Sequence, residues 1–150
     1  MRVNRLPGAA REFVAALVLF CYVEWLLRRT SLTVAARRMQ VSMTAGEPLT
    51  ASDDPDVGAT AARKRLPDWA VRRVRAVERV ASWWPLGRSG PCLRSSLVVG
   101  RRLSALRPVL CLGVRRDATG LRGHAWVRVG DIELDIDPGD WTPLPIGDLP

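Results

Sequence analysis

The stretch His124–Asp137 constrains the fold of this 150-residue chain more tightly than any other. His124-Ala-Trp-Val-Arg-Val129 alternates in polarity, Gly130-Asp131 offers the two residues of a tight turn, and Ile132-Glu-Leu-Asp-Ile-Asp137 alternates again. Two alternating runs around a Gly-Asp pair predict a β-hairpin, because glycine reaches the positive φ that such turns need. The register follows from the turn. Val129 faces Ile132, and counting back along both strands sets His124 opposite Asp137. Asp135 shares that face one pleat away, whereas Ile136 points to the other side.

Upstream of the hairpin, Trp69, Val74, Val77 and Val80 recur at helical spacing with arginines mostly between them, which predicts a helix from about Pro67 to Trp83. Pro85-Leu-Gly-Arg-Ser-Gly90 then breaks the chain. A second helix starts at Cys92, buries Leu93, Leu97, Val98, Gly100 and Leu103, and stops near Leu106 ahead of Pro108. Val109-Leu-Cys-Leu-Gly-Val114 reads as a buried strand. Arg115–Gly123 reads as a polar loop, and the tail from Pro138, with four prolines, as irregular chain.

Ala9–Met39 reads as one or two helices, with a break near Thr30-Ser31 where a hydroxyl can cap the second. Its apolar run Phe13–Leu27 falls short of the roughly 20 residues a membrane span needs and contains Glu24. No small-residue cleavage site follows it, since Arg28 and Arg29 come next. A docking helix is expected, with weak membrane association through its apolar face as a secondary reading. Residues 44–60 are rich in Pro, Gly, Ser, Thr and Asp, as a flexible linker would be. The expected division is therefore an N-terminal helical region (1–43), the linker (44–60) and a main domain (61–150).

The 23 Lys and Arg against 15 Asp and Glu give net charge +8. The excess favours acidic partners, but the arginines are scattered in pairs without interleaved aromatics, unlike a nucleic-acid stripe. The three cysteines, Cys21, Cys92 and Cys111, form no C-x-x-C pair, which excludes a disulfide framework or common zinc spacing and fits a reducing cytoplasm. No metal or cofactor is expected; Cys92, Cys111 and His124 together match no common ligand pattern.

Cys92 follows Gly90-Pro91 at a helix start, where unpaired N–H groups and the helix dipole stabilise a thiolate and could hold an oxyanion. His124 is the only histidine and hence the only candidate imidazole base. A third group orients such a base. Hairpin register favours Asp137, with Asp135 as the alternative if the hairpin is bulged. Trp126, two residues from His124 on the same face, is placed to wall the site, and Trp83 and Trp84 to shape a substrate groove ahead of Cys92. We take Trp126 and Trp84 as the substrate-binding candidates.

Cys92-Leu93 with Ser96-Leu97, the run Val109–Arg115, His124-Ala-Trp-Val127 and Asp137-Pro138 resemble, in order, the leader peptidases of lasso-peptide biosynthesis, a branch of the transglutaminase-like cysteine peptidases. The match is gapless over the 32 positions from Cys92 to His124. It covers roughly the last 60 to 90 residues by motif order, and the N-terminal helix loosely. The chain departs where the family reads Arg-Ser-Leu and this sequence has Ser95-Ser96-Leu97 after Arg94, and it carries one extra residue after the hairpin turn.

The resemblance implies an α+β fold with a transglutaminase/papain-like cysteine peptidase core, in which a helix carrying the cysteine packs on a small antiparallel sheet carrying His and Asp. An N-terminal helical extension precedes it. It further implies cleavage of a leader from a ribosomally made precursor peptide, alongside a macrolactam-forming, ATP-dependent lasso cyclase. Fused family members carry a leader-recognition domain with strands before its helices; residues 1–60 show no such strands, so a stand-alone form with a separate leader-recognition protein is implied. Two other readings stay open. One is an acyl transferase using the same Cys, His and Asp. The other is a basic module binding nucleic acid or an anionic membrane, with no use for Cys92 or His124.

Overall fold

In a computed structural model of the chain, residues 8–43, 65–84, 91–134 and 141–144 are described. They form four α-helices and five strands: α1 (Gly8–Arg29), α2 (Leu32–Arg38), β1 (Ser42–Met43), α3 (Asp68–Trp83), α4 (Pro91–Arg102), β2 (Val109–Asp117), β3 (Gly120–Val129), β4 (Ile132–Leu134) and β5 (Thr142–Pro143). A 3₁₀ turn, Ser104–Leu106, ends the chain's run beyond α4. The α+β class expected from the sequence is therefore observed. Residues 44–60, read as a linker, lie outside the described residues.

Each helix forms where its side chains supply an apolar stripe and a stop signal. Ser31 caps α2, its Oγ accepting from the Val34 N–H at 3.5 Å, so the hydroxyl pair ends α1 and restarts the chain as helix. Asp68 lies in the first turn of α3, where the dipole favours an acid, and Ala70, Val74, Val77 and Val80 are buried. Trp69 is only partly buried, with the Arg73 guanidinium 4.8 Å from its ring centroid. The helix carrying Cys92 ends earlier than expected, at Arg102; the 3₁₀ turn follows it, and Arg107 takes a left-handed φ of 51° before Pro108.

The sheet order is β1-β2-β3-β4, and β5 pairs with β2 beside β1. All pairs are antiparallel except β1 with β2, which run parallel, so the sheet is mixed and not wholly antiparallel. The hairpin register read from the sequence is observed as far as it is described: Val129 faces Ile132, Arg128 faces Glu133 and Val127 faces Leu134. Gly130, at φ 60°, takes the first turn position.

The polar stretch Arg115–Gly123, expected as a loop, is instead mostly strand. β2 and β3 stay paired out to Asp117 and Gly120 around the two-residue turn Ala118-Thr119. Exposed ribbon strands need no apolar alternation, so composition misled there. The proline-rich tail is not wholly irregular either: Pro143 faces Gly113, Thr142 faces Val114, and the Leu144 N–H donates to the Leu112 carbonyl at 2.9 Å. Pro143 can pair because β5 is a two-residue edge strand.

One core joins these parts. Phe20, Val23 and Leu26 of α1, Val77 and Val80 of α3, Leu97 and Val98 of α4, and Leu110, Ala125 and Val127 of the sheet pack in a single cluster. α1 thus buries one face and leaves Val14, Leu17, Val18, Tyr22 and Trp25 exposed on the other. No described helix is long and apolar enough to cross a membrane.

Charge also ties α1 to the Cys92 helix. Glu24, buried on α1, accepts from Arg94 Nε at 2.5 Å and from Arg28 Nε at 3.0 Å. The arginine that departs from the family's pattern is therefore engaged with α1. The Arg94 hydrogen bond holds the Glu24 carboxyl below its ordinary pKa, against burial, which pushes it up. A carboxyl lowered in the folded state stabilises fully above its unfolded pKa of about 4.3, and that stability is lost as pH falls through the folded value. Glu24→Gln should therefore lower the Tm at pH 7 and make it less dependent on pH between about 5 and 3 than in the parent chain. Thermal unfolding across that range tests this, and parallel curves for the two proteins would contradict it.

Candidate active site

The site forms where the start of α4 meets β3. Pro91 occupies the first helical position, where its missing N–H is no loss, and leaves Cys92 in the first turn. Cys92 is half-buried, and its thiol hydrogen-bonds with His124. That hydrogen bond lowers the thiol pKa below its ordinary value. Burial opposes the shift, while the Ala125 N–H, the charge of His124 and the Leu93 N–H reinforce it. The two residues singled out in the sequence are thus brought together, and the result is a thiol that ionises more readily than a free one.

Ala125 holds the helix to the strand from both of its backbone groups. Its N–H contributes to the Cys92 site, and its carbonyl accepts from Ser96 Oγ at 2.9 Å in a buried contact. In a strand, the N–H and C=O of one residue point to the same side. Cys92 and Ser96, one turn apart on α4, therefore both dock on one strand residue. Ser96 had been part of a motif match without a stated role; its spacing of four from Cys92 was the available signal. Ser96→Ala should cost about 1–2 kcal/mol of stability by leaving that carbonyl short of a donor. Denaturant unfolding measures this, and an unchanged midpoint would contradict it.

His124 is 9% exposed and lies among aromatic rings. Trp126 stacks with it at 5.9 Å between centroids and 17° between planes, as its place on the same strand face predicts. Trp141, just before β5, stacks closer, at 4.7 Å and 24°. The Arg115 guanidinium lies 4.5 Å from the Trp141 ring centroid. Gly113 faces His124 across the β2–β3 ladder, and a Cβ there would come within 3.0 Å of both Trp126 and Trp141. A glycine at this register position lets both indoles close over the sheet. Trp126 Nε1 donates to Glu133 Oε1 at 3.3 Å, which fixes the second ring.

A cleft of about 440 Å³ opens beside this pair. α3 contributes Val77, Glu78 and Ala81 to it, α4 Cys92 and Ser95, β3 Arg122 and His124, and Trp141 closes one side. Such a volume lies within the range of ligand-binding clefts, and its walls are mostly apolar. Trp84 does not line it. Its ring packs on Phe20 at 5.2 Å and borders a neighbouring cavity of about 140 Å³ that shares Ala81, Pro91 and Ser95 with the cleft. Trp83 is largely exposed.

Asp137 and Asp135 lie outside the described residues, as does the Pro85–Gly90 break. Cys111 is buried opposite Trp126 on β2. Among the described residues, no group of three His, Cys, Asp or Glu side chains is arranged to hold a metal ion.

Trp141, Arg115 and Gly113 were not picked out as site residues from the sequence. Gly113 and Arg115 sat in a motif run, but nothing local in the sequence indicated that the tail folds back to bring Trp141 onto His124.

No match to the chain is found among curated proteins or solved structures. The sequence pattern of the Transglutaminase-like superfamily does match, over residues 17–143. Members of that superfamily are mostly cysteine-based enzymes, peptidases or transferases. The matched region runs from α1 to β5 and takes in both walls of the cleft, so the chain belongs to the transglutaminase-like superfamily.

Proposed function

We propose that this chain is a cysteine peptidase that removes the leader from a ribosomally synthesised lasso-peptide precursor. The observation that carries the reading is the Cys92–His124 hydrogen bond at a helix start beside a mostly apolar cleft. In the proposed reaction the Cys92 thiolate attacks the carbonyl at the leader–core junction, and N–H groups at the helix start hold the oxyanion. The C–N bond breaks as His124 gives its proton to the departing amine of the core. Water then hydrolyses the thioester, with His124 taking a proton from it, and the leader leaves as the carboxylic acid.

Asp137, or Asp135, is proposed to orient His124. The register that the Gly130-Asp131 turn sets, observed from Val129–Ile132 to Val127–Leu134, is the reason to prefer Asp137. A separate leader-recognition protein is proposed to deliver the precursor, and an ATP-dependent cyclase to consume the freed core. The exposed apolar face of α1 supports a docking role for that helix. A reducing cytosol suits a free nucleophilic thiol.

The test is to combine the purified chain with its precursor and recognition protein and read product masses. Hydrolysis gives two fragments whose masses sum to the precursor plus one water. Transfer of the leader acyl group to an added amine, with no hydrolysis, would replace this reading by the acyl-transferase one. Absence of either product, with salt-sensitive binding to nucleic acid or anionic vesicles, would favour a basic binding module.

A further inference from the structure

We propose that Trp141 is a positioning residue that holds the His124 ring in place and stabilises its protonated form. The inference rests on the reading of Cys92 and His124 as a working pair, because a thiolate needs an imidazolium partner.

The geometry is specific. A protonated imidazole within about 6 Å of an indole face is attracted by the ring's quadrupole, and more strongly where water is excluded. His124 is buried, and Trp141 stacks on it at 4.7 Å, closer than Trp126 at 5.9 Å. Trp141 is itself held from several sides. β5 pairs with β2 at the next two residues, Gly113 leaves room for the Trp141 Cβ, and Arg115 packs over the ring at 4.5 Å.

Among the described residues, the charged and titratable groups around the imidazole come from four elements, and Asp137, proposed above to orient the ring, would add a negative charge to them. Cys92 of α4 hydrogen-bonds with it, Glu78 of α3 and Arg122 of β3 line the same cleft, and Arg115 of β2 lies over Trp141. Arg115 and Arg122 oppose a positive imidazole, and Glu78 and a Cys92 thiolate favour it. Trp141 adds a favourable contact without adding a charge, so it supports the imidazolium whether Cys92 is ionised or not.

His124 is the only histidine, so its imidazole can be titrated by NMR without ambiguity. The titration is run on the parent chain and on Trp141→Leu, Trp141→Met and Trp141→Phe, each also with Cys92→Ala to remove coupling to the thiol. Leu and Met should lower the His124 pKa by about half to one unit in both backgrounds, and Phe should restore at least about half of that fall. Values within about 0.2 units of the parent for Leu and Met would overturn the proposal. So would a Phe variant that falls as far as Leu. A lower Tm with an unmoved titration would reduce Trp141 to a packing residue. Because the Cys92→Ala background is included, this result is independent of whether the chain proves to be a peptidase.

Discussion

Replacing Cys92 by alanine should abolish the proposed leader cleavage, by at least about a thousandfold, while moving the Tm by no more than about 3 °C. The size of the kinetic effect follows from the chemistry: no other group in the cleft can form the thioester, and the surviving N–H groups and binding contacts accelerate only what water can do. The small structural effect follows from the position of Cys92. It is half-buried in the first turn of α4, and alanine fills nearly the same space. Cys21 is exposed on α1 and Cys111 is buried opposite Trp126, so neither can substitute. Cleavage assays with circular dichroism as a folding control would measure this, and retained cleavage would remove Cys92 from the mechanism.

His124→Gln should lower cleavage by about a thousandfold or more, with a change of pH dependence as its signature. Glutamine keeps a hydrogen-bonding side chain near the thiol but carries no proton that it can give to the leaving amine. It also removes the charge of His124 and replaces the imidazole hydrogen bond, the largest influence lowering the Cys92 pKa, by a weaker neutral amide contact, so that burial pushes the thiol up with less to oppose it. Whatever activity survives should therefore rise toward alkaline pH, where the thiol ionises unaided. A variant that keeps the parent's pH profile would show that His124 is not the proton-transfer group.

The parts of this site that were legible in the sequence are those fixed by local chemistry. A Gly-Pro-Cys break announces a helix start, and Gly130-Asp131 sets a register that the β3–β4 pairing reproduces at three residue pairs. Together they place a cysteine and the single histidine on elements that meet. What was not legible depends on long-range packing. Arg115–Gly123 has loop composition, yet it continues the β2–β3 ladder because its partner strand is present. Trp141 lies in a proline-rich tail whose return to β2 rests on two residue pairs and one further backbone hydrogen bond. The two-residue strand β1 is too short to leave a periodic signal. Trp84 was placed by its nearness in sequence to Cys92, but its ring turns toward Phe20 and the α1 side of the core.

The superfamily match supports cysteine chemistry over most of the chain, and the cleft between α3, α4 and β3 supplies a place for a substrate. Between them lies the claim that Cys92 and His124 act as one ionisable unit. The most direct measurement is the rate of Cys92 alkylation by iodoacetamide against pH, read by peptide mapping so that Cys21 does not contribute. The parent chain should react through a thiolate that forms below the ordinary thiol value of about 8.5, and His124→Gln should move that midpoint upward. A midpoint near about 8.5 in both proteins would contradict the pairing on which the account rests.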